Sequence, residues 1–286
     1  MKNLTALISC FARAYHAARS QGPIYADPAA ALLLTEEEKE TVARSIIRGR
    51  AFFCPGFEGT DEEALAFAVD RQLAPSVLGR SAFCKRCLDR AVRFGYRQYL
   101  IHAAGYDGSA YDAFPGDMRV FELDKPAMSR DKQARVAAAG LEHEKVAYIA
   151  CDYTENAWQA PLLAAGYDPA KPAFHSLLGI SYYLTPAELK GLVAGLSALS
   201  ALHSELVLDY QTGAGAAALK NERLAAAAGE PMRARYDYRE MEALLARHGW
   251  LIYEHLDAEA MQAQFFGGSG LSAPADIACL LAVKKE

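Results

Sequence analysis

Gln98-Tyr-Leu-Ile-His-Ala-Ala-Gly-Tyr-Asp107, followed by Arg119-Val-Phe-Glu-Leu-Asp-Lys-Pro126, decides the fold. Each piece opens on a short apolar run and ends in a turn of small or acidic residues. Such a run, bounded by turn residues, reads as a buried strand. Working outward, the same unit recurs. Apolar runs lie at Gln98–Ala103, Arg119–Leu123, Val146–Ala150, Ala173–Ile180, Glu205–Asp209, Trp250–Glu254 and Ile277–Val283. Helical stretches fall between them, near Ser129–Ala139, Ala157–Ala165, Pro186–Leu199, Tyr238–His248 and Ala258–Phe265. Strand alternating with helix is the signature of a parallel sheet covered on both faces. The expectation is an α/β fold with a seven-stranded sheet over residues 95–286. The Ala- and Gly-rich stretch at about 211–235 interrupts the rhythm and reads as an insertion over the sheet edge or mouth.

Upstream, residues 1–94 read as helices and loops. Thr35-Glu-Glu-Glu38 is a capping-box pattern opening a helix toward Arg48. A second helix fits Asp61 to Leu73, with Asp61 as its cap and Pro75 as its stop. In a third, Cys84, Cys87, Leu88 and Ala91 share one face at helical spacing. Arg86, Arg90, Arg93 and Arg97 fall on the other side and read as a solvated row. Gly95 ends it.

The chain has 286 residues and a mass of 31.0 kDa. By the usual scaling it exposes roughly 12,000 Å² when folded and roughly 45,000 Å² when unfolded, so a full core is available without disulfides. Hydrophobic residues at 52% and charged residues at 23% exclude a disordered chain. A net charge of −5 argues against broad nucleic-acid binding. No apolar run reaches the ~18 residues a membrane span needs, and the first residues do not form a secretory signal. Together with six cysteines, this leads to the expectation of a cytoplasmic protein with its thiols reduced.

Ligands of open α/β sheets bind beyond the carboxyl ends of the strands. After the first strand, His102-Ala-Ala-Gly-Tyr-Asp-Gly-Ser109 offers small residues past which a ligand can approach the backbone. It is not the G-x-G-x-x-G of dinucleotide sites. After the second, Glu122 and Asp124 stand where a carboxylate can accept both hydroxyls of a ribose, although the helix dipole alone also favours an acid there. After the third, Asp152 can accept from an adenine amino group or can simply cap the next helix.

These residues resemble the leucine carboxyl methyltransferase-like family of class I S-adenosylmethionine-dependent methyltransferases, and most closely its bacterial O-methyltransferase branch of secondary metabolism. The matching pieces are Arg80-Ser81, Gln98–Ile101 with Gly105-Tyr106-Asp107, Phe121–Pro126, Asp152-Tyr153, Leu178–Pro186 and Val207–Tyr210. The resemblance implies a Rossmann-like sheet under an N-terminal helical lid (1–94), with S-adenosylmethionine as cofactor and S-adenosylhomocysteine as product. It implies that Arg80 pairs with the cofactor carboxylate and that Gly105 lets the backbone pass the cofactor. Asp124, with Glu122, would hold the ribose, and Asp152 and Tyr153 would frame the adenine. Three positions depart from the family pattern. Ala103 replaces a glycine, Gly108-Ser109 replaces Thr-Arg, and Leu178 replaces a cofactor-contacting glutamate.

Other motifs carry less. Cys84-Lys-Arg-Cys87 is a lone C-x-x-C on an apolar stripe and reads as core, so no metal site is expected. Gly267-Gly-Ser-Gly270 lacks the strand-to-helix context of a phosphate loop. His102 and His175 sit in strands and read as hydrogen-bonded core residues. The expected reaction is methyl transfer to a carboxylate or hydroxyl of a small molecule. No membrane or nucleic-acid partner is expected, and nothing bears on oligomeric state. Tyr182 and Tyr183 are the candidate acceptor-side catalytic residues, with aromatic packing as the plainer alternative. A degenerate, non-catalytic binder of the cofactor or a nucleoside is the competing reading.

Overall fold

The structure, a computed structural model, describes residues 3–153, 157–213 and 216–285. Six helices come first: α1 (Leu4–Arg19), α2 (Pro28–Leu33), α3 (Glu36–Arg48), α4 (Arg50–Phe53), α5 (Asp61–Ala68) and α6 (Ala74–Arg93). The sheet region then runs β1 (Gln98–His102), β2 (Arg119–Asp124), α7 (Pro126–Ala139), β3 (Val146–Ala150), α8 (Gln159–Ala164) and β4 (Phe174–Leu177). It continues through α9 (Pro186–Leu199), β5 (Glu205–Gln211), α10 (Ala216–Ala227), α11 (Tyr238–Ala246), β6 (Trp250–Leu256), α12 (Ala258–Met261) and β7 (Ile277–Lys284).

Helix starts follow local chemistry. The Thr35–Glu38 capping box is formed at α3, and Thr185–Glu188 and Asp237–Glu240 make the same reciprocal bonds at α9 and α11. At α5 the cap is Thr60 rather than Asp61, because Thr60 pairs reciprocally with Glu63. Pro75 does not stop a helix. A π turn at Val69–Leu73 leads from α5 directly into α6, and Pro75 lies in the first turn of α6, where its missing N–H costs nothing.

The strand order is β3-β2-β1-β4-β5-β7-β6. Strands β1 to β5 are parallel, with Leu100 opposite Phe121 on one side and His175 on the other. The sheet is nevertheless mixed, since β7 runs antiparallel to both β5 and β6. Leu256 near the end of β6 pairs with Cys279 near the start of β7. The short α12 and the loop after it thus return the chain to the same end of the sheet, and it enters reversed. The chain works outward from β1 to β3 and then jumps back to β4. This switch point between β1 and β4 opens a crevice at their carboxyl ends.

One face of the sheet is covered by Leu162, Leu189, Leu192, Leu196 and Leu245 of α8, α9 and α11. The other face meets Phe83, Cys84, Cys87 and Leu88 of α6 together with Met261 and Phe266. Both α6 cysteines are buried and free, as the apolar stripe requires. The arginine row on α6 does more than face water. Arg86 meets Glu254 at 2.6 Å and Arg90 meets both carboxylate oxygens of Glu205 at 3.0 Å, while Arg97, expected in the row, lies beyond the end of α6 and meets Asp117 at 2.7 Å. A third cluster joins α1, α2, α3 and α5 to Tyr106, Met128 and Val136 of the sheet region. No helix among the described residues is long and apolar enough to cross a membrane.

Candidate active site

A cavity of about 510 Å³ lies at the switch point, within the ~300–1,000 Å³ typical of small-molecule sites. The loop after β1 forms its floor. Ala103 and Gly105 both take left-handed backbone conformations, with φ of 52° and 50°. Alanine at such an angle costs about 1 kcal/mol, which glycine would avoid. The Gly105 N–H donates to Asp124 Oδ2 at 2.7 Å, and the Lys125 N–H donates to Asp124 Oδ1 at 2.7 Å. A carboxylate has about four acceptor positions, so Asp124 keeps capacity for hydroxyls in the cavity. Burial raises its pKa, opposed by these two amide bonds and the nearby lysines.

Arg80, Ala103, Gly105, Asp124, Asp152, Tyr153, Leu178, Tyr182 and Tyr183 all line this one cavity. Glu122 does not. It lies one step back along β2, where Lys132 Nζ of α7 donates to its Oε1 at 2.6 Å and both side chains are only 2% exposed. The expectation that Glu122 holds a ribose is therefore corrected. Residues two apart share a face of the strand, so what separates the two acids is their place along β2: Asp124 is its last residue, at the cavity, and Glu122 lies a step inside.

Arg80, on α6, donates from Nη1 to Tyr182 Oη at 2.9 Å and lies 3.4 Å from Asp209 Oδ2. Asp209 is fully buried at the end of β5, and its Oδ1 accepts from the Gly179 N–H at 2.5 Å. The guanidinium lies against Gly179, where a Cβ would come within 2.7 Å of it. Tyr182 is thus committed to Arg80, while the Tyr183 ring packs on it at 4.9 Å.

His102 also lines the cavity, but both its ring nitrogens are engaged. Nδ1 meets Tyr153 Oη at 2.9 Å, and Nε2 meets His175 Nδ1 at 3.2 Å. His175 continues to Ser200 Oγ at 3.2 Å. Burial drives the His102 pKa well below its ordinary value and that of His175 down to about 3. Both rings are neutral core groups.

Asp152 faces Lys125 at 3.8 Å. Asn221, Leu224 and Ala225 of α10 also line the cavity. Glu230, just beyond α10, accepts from Asn3 Nδ2 at 2.7 Å and from Thr5 Oγ, joining the insertion to the start of α1. Arg13 of α1 also lines the cavity, and sequence reasoning missed it together with Asp209 and these α10 residues. Their partners lie far away in the chain, and periodicity carries no record of a distant partner.

A family model described as leucine carboxyl methyltransferase matches residues 6–197. The chain belongs to this family. The match includes both the N-terminal helices and the sheet as far as α9. YktD of Bacillus subtilis (strain 168), named as an S-adenosyl-L-methionine-dependent methyltransferase, is 33% identical over 299 residues, covering 99% of this chain and 98% of its own. A similarly named protein of Mycobacterium ulcerans (strain Agy99) is 29% identical, covering 86% of this chain and 81% of its own. Among solved structures, one named as a methyltransferase from Thermobifida fusca YX superposes with a TM-score of 0.57 at 19% identity, over 84% of this chain and 95% of that one. A Streptomyces avermitilis protein gives 0.51 at 19% identity, over 84% and 97%. At these identities the structural matches speak for the fold.

Proposed function

We propose that this member of the family is an S-adenosylmethionine-dependent methyltransferase that methylates oxygen, on a carboxylate or acidic hydroxyl of a small molecule. The donor set fits the cofactor. Asp124 offers acceptors for ribose hydroxyls. Arg80 offers a planar guanidinium for the amino-acid carboxylate, and arginine matches that group with two parallel bonds. Asp152 and Tyr153, in the cavity lining just after β3, are placed to flank an adenine. When bound, S-adenosylmethionine supplies an electrophilic methyl group.

The chain's own contribution is alignment and exclusion of water. Holding two reactants in line supplies up to ~7–11 kcal/mol of the barrier. The helices of residues 1–94 act as a cover over the 95–286 core. Tyr183 lines the acceptor side, and Tyr182 acts there by fixing Arg80.

The choice of oxygen acceptor rests on one observation. Among the described residues, the cavity histidine is held neutral between two partners. A hydroxyl of ordinary acidity needs a base poised near the working pH, whereas a carboxylate is already ionised. The test is transfer of radiolabelled methyl from S-adenosylmethionine to a panel of carboxylic acids and phenols. A methyl ester releases its label in mild alkali and an ether does not, so alkali-labile product is expected. Alkali-stable product throughout would move the acceptor to a hydroxyl. The second reading, a non-catalytic binder, draws on Leu178 lining the cavity where the family carries a glutamate. Tight cofactor binding with no transfer to any acceptor would favour it.

A further inference from the structure

Two buried cations converge on the loop after β1. Arg13 of α1 donates from Nη2 to the Tyr106 carbonyl at 2.6 Å. Lys132 of α7 donates from Nζ to the next carbonyl, Asp107, at 2.7 Å. Each cation has its own buried carboxylate. Arg13 Nε meets Asp27 Oδ2 at 2.7 Å, and Lys132 meets Glu122 at 2.6 Å. Asp27 also accepts from the Ala30 N–H at 3.0 Å and so begins α2. It lies directly against Gly108, where any Cβ would collide with its carboxylate. A glycine at 108 is therefore required by the acid that holds Arg13.

We propose that Arg13–Asp27 and Lys132–Glu122 are positioning pairs that hold the 103–108 loop in its ligand-binding shape before any ligand arrives. This rests on the reading of the cavity as an S-adenosylmethionine site. The loop holds Ala103 at positive φ, an angle alanine resists, so something else must fix the turn. Neighbouring carbonyls anchored from behind by two charged donors do so, and hydrogen bonds to charged groups are the stronger kind. Each cation is spared the cost of lone burial by its own carboxylate. The first helix is then part of the cofactor site, because it supplies one of the two anchors. Glu122 reaches the site indirectly, through Lys132.

The experiment uses the full chain and S-adenosylhomocysteine as probe. Arg13→Gln and Lys132→Met should each raise the calorimetric dissociation constant roughly tenfold or more, with one site per folded molecule retained. Arg13→Lys, which can reach one partner but not both, should fall between. A purely structural role would lower the fraction of competent molecules and leave the affinity of the remainder unchanged, and that result overturns the proposal.

Amide hydrogen exchange of the unsubstituted protein guards against variants that fail to fold. The amides of Ala104, Gly105 and Asp107, bonded to Leu123 O, Asp124 Oδ2 and Ala104 O, should be protected without ligand. Protection that arises only on adding S-adenosylhomocysteine overturns the preset loop. Unsubstituted protein that binds no S-adenosylhomocysteine would instead overturn the methyl-transfer reading, and the exchange result would still decide whether the loop is preset.

Discussion

Arg80 is where a single side chain carries the most weight. Its Nη1 is taken by Tyr182 and Asp209, which fixes the plane of the guanidinium while the group still borders the cavity. Arg80→Ala should therefore raise the dissociation constant for S-adenosylmethionine roughly tenfold or more, because a charge-assisted bond is worth ~1.5–3 kcal/mol. Adenosine lacks the carboxylate, so its affinity should stay nearly constant. Equal loss of both ligands in calorimetry would show that Arg80 supports the cavity wall instead. Much of this site could be read from residue order alone. Asp124 and Gly105 stand where the β1 and β2 turns of any such sheet put them. Glu122 misled because it shares a strand end with Asp124, and its fate depended on Lys132, ten residues on. Arg13 could not be foreseen, since it meets a carbonyl 93 positions away.

Elements meet at a few close contacts, and α9 offers one. Gly195 faces the Trp158 indole, which is 1% exposed, and a Cβ there would come within 2.9 Å of both the Trp158 ring and Gln159 Nε2. Gly195→Ala gains up to ~1 kcal/mol of helix propensity. Overpacking against a buried ring costs ~1–3 kcal/mol. Net destabilisation of about 1 kcal/mol is expected in urea unfolding, and a gain in stability would show that Trp158 yields readily. The strands themselves were legible because each is a short apolar run closed by turn residues. Their directions were not. A run such as Ile277–Val283 looks the same whether it enters parallel or reversed, and only the return of the chain beside Leu256 decides it.

At the scale of the whole molecule, one buried pair of rings makes a contribution to stability that mild acid removes. The paired rings of His102 and His175 are buried and neutral, and the folded His175 ring titrates at about 3 against an ordinary 6.5. As pH drops below 6.5 the unfolded chain takes up a proton that the folded ring refuses, so unfolding gains. This ring's contribution is full above 6.5 and is lost toward pH 3, at up to ~1.4 kcal/mol per pH unit. Replacing it should remove that share. The difference in unfolding free energy between the parent and His175→Gln should shrink between pH 7 and pH 5 by about 2 kcal/mol at most. A constant difference would mean that the ring titrates normally within the fold.

Strand β7 has a consequence for how the chain is made. It is last in order among the described strands, yet it is flanked on both sides, by β5 and β6. Synthesis delivers β5 and β6 first, at ~5–20 residues per second. Until β7 emerges, the inner edge of β5 from Glu205 to Gln211, buried along its whole length in the finished fold, has no neighbour to bond. An open apolar edge of this kind invites pairing with another chain. The nascent protein is thus most exposed to self-association in the interval between the two strands, and a pause in translation there would lengthen it.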